Sequence, residues 1–324
     1  MSGFLITSLL DEQWRSTGTI SFRAFYVRRA LRLFPALLTL LGVLQLYALT
    51  FVWPPLVTAL RHATIVALLY VTNWAQAFGF MGPLGLLSHT WSLAIEEQFY
   101  VLWPIAFLFL LRRFRGGAII AILLTTAVAS TLWRAHLWLG PASFPRVHYG
   151  FDTHADGLLV GCALALCLAR GGGVLPARIA MLPRYLAIPA GVVILACMHR
   201  VSLHSSMYPG GLTVIAIATA VILAEVRLAP AGSLARALAF APLVAIGRIS
   251  YGLYLWHWPV LLALRPEITG FGWGANLALQ LLTVFLIAAL SFVVIERFFL
   301  NRKDQWAQPS TNRRKHPCPT ASNA

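Results

Sequence analysis

The stretch Ser88-His-Thr-Trp-Ser-Leu-Ala-Ile-Glu-Glu-Gln-Phe-Tyr100 sets two adjacent carboxylates, Glu96 and Glu97, directly before the apolar run Val101-Leu-Trp-Pro-Ile-Ala-Phe-Leu-Phe-Leu-Leu111. An acidic side chain at the centre of a membrane helix costs ~2.5–3.5 kcal/mol on insertion scales, so its presence calls for a site or a buried partner. The whole chain has only ten acidic residues. On a helix, Ser92, Glu96 and Tyr100 recur every four residues and share one face, while Trp91, Ile95 and Phe99 form the neighbouring stripe. Two readings of the polar face stand side by side. Its carboxylates could move a proton or orient a catalytic histidine, or they could be halves of structural ion pairs inside a bundle.

The surrounding sequence fixes the class. Of 324 residues, 59% are hydrophobic and 11% charged, with mean hydropathy +0.76, against about 25% charged in an ordinary soluble domain. Several apolar windows approach or exceed the length a helix needs to cross hydrocarbon, and none alternates as a membrane barrel strand does. The expected fold is all-α, a polytopic transmembrane bundle of about eight to nine membrane segments. These run roughly over 34–53, 59–80, 88–111, 117–139, 156–169, 184–198, 209–226, 242–264 and 275–298. The weakest is 59–80, which carries Arg61, His62, Asn73 and Gln76. Residues 1–298 form the membrane domain, and 299–324 read as a disordered polar tail.

The net charge of +15 comes from 25 Lys and Arg gathered in short clusters between apolar runs. Such clusters orient a protein in a membrane and meet anionic lipid there; they do not imply nucleic acid. Arg112, Arg113 and Arg115, then Arg170, Arg178 and Arg184, then Arg227 and Arg236, share one side with the tail if the segments alternate. That side is read as cytoplasmic, and the loop around 140–155 as facing outward. The cluster Arg23, Arg28, Arg29 and Arg32 breaks this parity unless one early segment fails to cross or function holds those arginines outside. Eight spans plus a re-entrant or interfacial piece at 59–80 restore it. The four cysteines form neither a disulfide framework nor a zinc site; Cys162, Cys167 and Cys197 read as packing residues and Cys318 lies in the tail.

Three further clusters could carry chemistry. Arg28 and Arg32 are four residues apart at a helix start, with Arg29 beside them, and could grip a phosphate by forked hydrogen bonds or simply anchor the chain. An anchor would accept lysine, and this stretch uses only arginine. In Gly247-Arg-Ile-Ser-Tyr-Gly-Leu-Tyr-Leu-Trp-His-Trp-Pro259, Ser250, Tyr254 and His257 make a polar stripe beside Trp256 and Trp258, which an interfacial aromatic belt would also produce. Arg248 lies at the start of that otherwise apolar span. In Tyr149-Gly-Phe-Asp-Thr-His-Ala-Asp-Gly157, capping accounts for Asp152 or Thr153 and for Asp156. The set His148, Asp152, His154 and Asp156 matches no standard metal spacing. Phosphate loops, nucleophile elbows and zinc-protease helices do not occur.

Taken together these stretches resemble the acyltransferase 3 family of membrane O-acyltransferases, which modify bacterial surface sugars, peptidoglycan and some secondary metabolites. Ser2-Gly-Phe-Leu-Ile-Thr7 is similar to the family's Ser-Gly-Phe motif, and Arg28-Arg-Ala-Leu-Arg-Leu-Phe-Pro35 to its Arg-x-x-Arg segment. His89 to Tyr100 resembles its most diagnostic motif, and Arg248 to Pro259 and Glu296-Arg297 its final helices. The resemblance implies a multi-pass protein of the bacterial inner membrane with a cytoplasmic carboxyl terminus. It further implies an acyl-CoA, usually acetyl-CoA, as co-substrate, no permanently bound cofactor, and a carbohydrate or glycolipid acceptor. On that basis Arg28, Arg29 and Arg32 bind the donor, Glu96 or Glu97 orients or charges a catalytic histidine, and Tyr251, Tyr254 and His257 line the acyl or acceptor tunnel. Trp91, Ser92, Tyr100, Asp156 and Arg248 complete the expected substrate contacts.

The sequence departs from the family pattern in places. The family's base is a histidine on a helix before the Ser-Gly-Phe motif, and no residue here matches it. His89 and His257 are the histidines within motifs that could stand in. The chain as given is therefore expected to be an inactive or unstable fragment. His154 stands where many relatives have arginine, and Phe298 where proline commonly follows Glu-Arg. A transporter or flippase would use intramembrane Glu and Arg differently, as relay or substrate residues, but would show repeated halves that are absent here. A non-catalytic relative that binds acyl-CoA or glycan is the third reading.

Overall fold

The computed structural model describes residues 1–51, 54–80, 84–140, 144–170, 177–201 and 207–307. In chain order the helices are α1 (Ser2–Thr17), α2 (Phe22–Phe51), α3 (Pro54–Leu68), α4 (Thr72–Ala77), α5 (Trp91–Arg113), α6 (Gly116–Leu139), α7 (Phe144–Tyr149) and α8 (Ala155–Arg170). They continue as α9 (Ala177–Val201), α10 (Gly211–Leu228), α11 (Ser233–Leu238), α12 (Ala241–Ala263), α13 (Pro266–Thr269), α14 (Trp273–Ser291) and α15 (Arg297–Ala307). No strand occurs among the described residues, so the all-α expectation holds. Six helical stretches there are long and apolar enough to cross a membrane: 22–50, 85–113, 116–139, 181–199, 211–228 and 273–302. That is fewer than the eight to nine segments expected. Two of the missing ones, Val57–Leu68 and Ala155–Ala169, are apolar but short. A third, α12, has 23 residues, but Arg248, His257 and the flanking Trp256 and Trp258 dilute its apolar run.

The segment expected over 59–80 is not one helix. It breaks after Leu68, where Tyr70 takes φ 53°, the one positive φ at a non-glycine among the described residues. α5 supplies what the broken backbone lacks: Gln98 Nε2 donates to the Tyr70 carbonyl (2.7 Å) and to Asn73 Oδ1 (2.8 Å), and Gln98 Oε1 accepts from Trp74 Nε1 (3.2 Å). Backbone that leaves helical pairing needs other partners, and one amide supplies them here.

The chain divides into two compact units. The first comprises residues 1–20 and 58–245. Its centre is α8, which packs against α1, α6 and α10. The α1–α8 crossing is close because both helices offer glycine. A Cβ on Gly3 would run into the Leu158 carbonyl oxygen, and one on Gly161 would stand 2.8 Å from the Phe4 nitrogen. Trp103 Nε1 of α5 donates to Thr7 Oγ1 of α1 at 2.9 Å, which ties a third helix to the crossing. The Ser-Gly-Phe motif is thus in part a packing device. Gly3→Ala should destabilise the protein by about 2–3 kcal/mol, an overpacking cost, read as a lowered melting temperature in detergent; an unchanged melt would refute the close crossing.

The second unit comprises residues 21–57 and 246–324. Here α2 packs along α15 and the π-helical stretch Phe292–Glu296, and Gly252 lets α12 approach α14, where an added Cβ would lie 3.4 Å from Ala288. The turn between α12 and α14 is held by Asn276 Nδ2 and Gln280 Nε2, both 2.9 Å from the Leu264 carbonyl. Helix α15 runs on to Ala307, so the first nine residues of the expected tail, 299–307, are helical. Residues 308–324, with Cys318, lie outside the described residues.

Candidate active site

In the first unit α5 carries both acids. Glu96 accepts a hydrogen bond from Ser2 Oγ of α1 at 2.8 Å and a longer one, 3.5 Å, from the Tyr100 hydroxyl one turn on. Tyr100 is buried, as is Glu97, the next residue along the helix. No arginine or lysine forms an ion pair with Glu96 among the described residues. Of the two readings open at the sequence level, a pair with an arginine of the bundle therefore does not describe Glu96, whose cationic neighbour is the Met1 ammonium. His89 is buried in the 3₁₀ turn Gly85–Thr90 that leads into α5, and Ser92 is half-buried on the first turn.

The buried ion pair lies elsewhere. Arg134 of α6 is fully buried and grips Asp156 of α8 with both ends of its fork, Nη1–Oδ1 and Nη2–Oδ2 each at 2.9 Å. Its Nε donates to the Tyr208 carbonyl (2.8 Å), Nη1 also to the Thr153 carbonyl, and Nη2 to Thr213 Oγ1 (2.7 Å). Thr213 donates onward to Asp156 Oδ2 at 2.6 Å. Every polar group is paired, the condition under which a buried charge pair is tolerable. Asp156, expected from the sequence as a helix-start residue and a substrate contact, thus has both oxygens engaged in joining α6, α8 and the start of α10.

Around α7 the same end of this unit gathers rings and charges. Trp91 packs 4.8 Å from His148, 5.4 Å from Tyr149 and 5.6 Å from His154, centroid to centroid. Arg146 holds Asp152 by two bonds, 3.0 and 2.6 Å, and lies 5.6 Å over the Trp74 ring. Burial pushes the Asp152 carboxyl up, but hydrogen bonds from Arg146 and Trp133 outweigh it and leave the carboxyl below its ordinary range. Burial pushes His148 down, and pushes His154 down to about 4 against the upward pull of its bond to the Gly150 carbonyl. No group of three or more potential metal ligands occurs among the described residues.

In the second unit Arg28 is half-buried and Arg32 exposed on the first turns of α2. Neither makes a hydrogen bond or salt bridge among the described residues. Arg29, half-buried, follows Arg28 on the same turn. On α12, Tyr251 donates to the Leu33 carbonyl of α2 at 3.1 Å, and His257 Nδ1 bonds the Tyr254 carbonyl with the two rings 5.7 Å apart. Arg248 is exposed at the start of that stretch. The predicted residues thus fall into two groups, one per unit. Sequence reading missed Ser2 as a partner of Glu96, Gln98 as the clamp on α4, and Arg134 as the partner of Asp156. Arg134 gave one signal, a charge at the end of an apolar run.

The sequence profile of a family described as an acyltransferase domain matches residues 1–296. The chain belongs to the acyltransferase 3 family. This acyltransferase 3 chain is 34% identical over 316 residues to the peptidoglycan O-acetyltransferase OatA of Listeria monocytogenes, covering 91% of the chain and 49% of that protein. It is 35% identical over 274 residues to the O-acetyltransferase OatA of Staphylococcus aureus, covering 81% and 44%. The chain thus spans about half the length of the curated relatives it matches. No solved structure matches it.

Proposed function

We propose that this chain is the membrane part of an O-acyltransferase that moves an acyl group, most simply acetyl, from an acyl-CoA to a hydroxyl of a cell-envelope carbohydrate. The observation that carries this reading is Glu96, a carboxylate on a helix long and apolar enough to cross a membrane, held by two hydroxyls and by no cationic side chain, in a chain of this family. The named relatives act on peptidoglycan or are O-acetyltransferases, which supports a glycan acceptor. In the reaction the acceptor oxygen bonds to the thioester carbonyl carbon, the carbon–sulfur bond breaks, and the hydroxyl proton passes through a histidine to the departing thiolate. Glu96 would orient that histidine and stabilise its charged form, with Ser2 and Tyr100 fixing the carboxylate. His89 and His257 are the histidines within the motifs; His89 shares the unit of Glu96, and single replacement of each reads whether the reaction needs it.

Arg28 and Arg32 are proposed to bind the donor phosphates, with Arg29 beside them, and Arg248, Tyr251 and Tyr254 to contact substrate. Guanidinium forks match phosphate in a way a lysine ammonium does not. Arg28→Lys combined with Arg32→Lys should raise KM for acetyl-CoA about tenfold, ~1.4 kcal/mol, with little change in kcat; an unchanged KM would reduce both to anchors. The membrane orientation proposed sets the ends bearing Arg112, Arg113, Arg115 and Arg227 on the cytoplasmic side, following the bias of basic loops. The function itself is tested in proteoliposomes given acetyl-CoA labelled in its acetyl group and chitotetraose or peptidoglycan fragments. Label recovered in the sugar as an ester is the expected result, and none recovered with any acceptor would overturn it.

A further inference from the structure

The half-exposed cluster around α7 is not accounted for by packing alone. Trp138 and Tyr208 stack at 4.6 Å and 19°, Phe144 and His148 at 5.2 Å and 14°, and His148 Nδ1 lies 2.9 Å from the Tyr208 hydroxyl. Phe144 is 51% exposed, and Trp91, Trp138, His148, His154 and Tyr208 each keep part of their surface open. An interfacial aromatic belt sets Trp and Tyr at headgroup level; here rings from α5, α6, α7 and the turn before α10 also pack on one another, with the Arg146–Asp152 pair beside them.

His154 adds a directed polar group. Its Nδ1 lies 3.0 Å from the Gly150 carbonyl, which can only accept, so Nδ1 carries the proton and Nε2 presents its lone pair. Nε2 makes no hydrogen bond among the described residues. With burial holding its pKa near 4 the ring is neutral at pH 7, so that lone pair stays available.

Together these features match a pyranose ring, which has an apolar C–H face to lay on an aromatic plane and a rim of hydroxyls to meet a few placed polar groups. We propose that this cluster is a subsite for one pyranose residue of a glycan, with the outward face of the Trp138–Tyr208 stack as its platform and His154 Nε2 as acceptor for a sugar hydroxyl. The subsite rests on the reading that the acceptor is a carbohydrate. Along α5 the start at Trp91, whose ring packs on His148 and His154, lies about 7.5 Å from Glu96.

The test is binding of chitotetraose to the whole protein in nanodiscs, followed by saturation-transfer NMR, with acetyl-CoA binding and the melting temperature measured on the same samples. Trp138→Ala and Tyr208→Ala should each weaken chitotetraose about tenfold or more, Tyr208→Phe much less, and His154→Gln severalfold, while acetyl-CoA binding stays as it was. Should an alanine variant fail to fold, Trp138→Leu keeps the volume and removes the flat face. Wild-type protein that shows no contact with chitotetraose at millimolar concentration, or folded variants that bind it as the wild type does, would overturn the subsite and leave a lipid-facing belt. Sugar binding is read without turnover, so failure of acetyl transfer bears on the proposed function and loss of sugar binding bears on the subsite.

Discussion

Arg134→Met should destabilise the protein by about 3–5 kcal/mol, the cost of leaving one member of a buried charge pair without its partner. The substitution removes both bonds to Asp156 and also the donors to the Tyr208 and Thr153 carbonyls. Replacing both members, Arg134→Met with Asp156→Leu, should recover a large part of the loss, because apolar groups of similar volume often match a buried pair in stability. Thermal unfolding in detergent reads this directly: the single variant should melt well below the double. Equal melting temperatures would mean that the pair does not couple α6 to α8.

Glu96→Gln should lower kcat for acetyl transfer by ~10²–10⁴-fold, the range over which general acid–base groups act. The glutamine keeps the volume and can still accept from Ser2, so the fold and the donor affinity should be unchanged. Removing only the hydroxyls that fix the carboxylate, as in Ser2→Ala with Tyr100→Phe, should cost less than removing its charge. A Glu96→Gln enzyme with wild-type kcat would move the chemistry to Glu97 or away from this helix.

Much of the helix order was legible because apolar runs long enough to cross a membrane leave little choice of element. The observed α5, α6, α10 and α14 fall on the windows read for them, and the weak window at 59–80 breaks between Leu68 and Thr72, just ahead of the short helix that carries Asn73 and Gln76. The count was less legible, since length and hydropathy separate in α8 and α12. Within the site, the shared face of Ser92, Glu96 and Tyr100 follows from helical period, and the structure bears it out in the Tyr100–Glu96 contact. Pairings across the chain were not legible. Ser2 and Glu96, Arg134 and Asp156, and His148 and Tyr208 meet only because separate helices pack, and no local pattern encodes which ones do.

Gln98 gives the proposed reaction centre a property that its own residues lack. It follows Glu97 directly on α5, and its hydrogen bonds to Tyr70, Asn73 and Trp74 hold that helix at one rotational phase about its axis. A roll by one residue position turns a helix by about 100°, enough to carry Glu96 away from Ser2 and bring Glu97 round in its place. The broken segment at residues 69–77 therefore works as a key in a slot, choosing which of two neighbouring carboxylates faces α1.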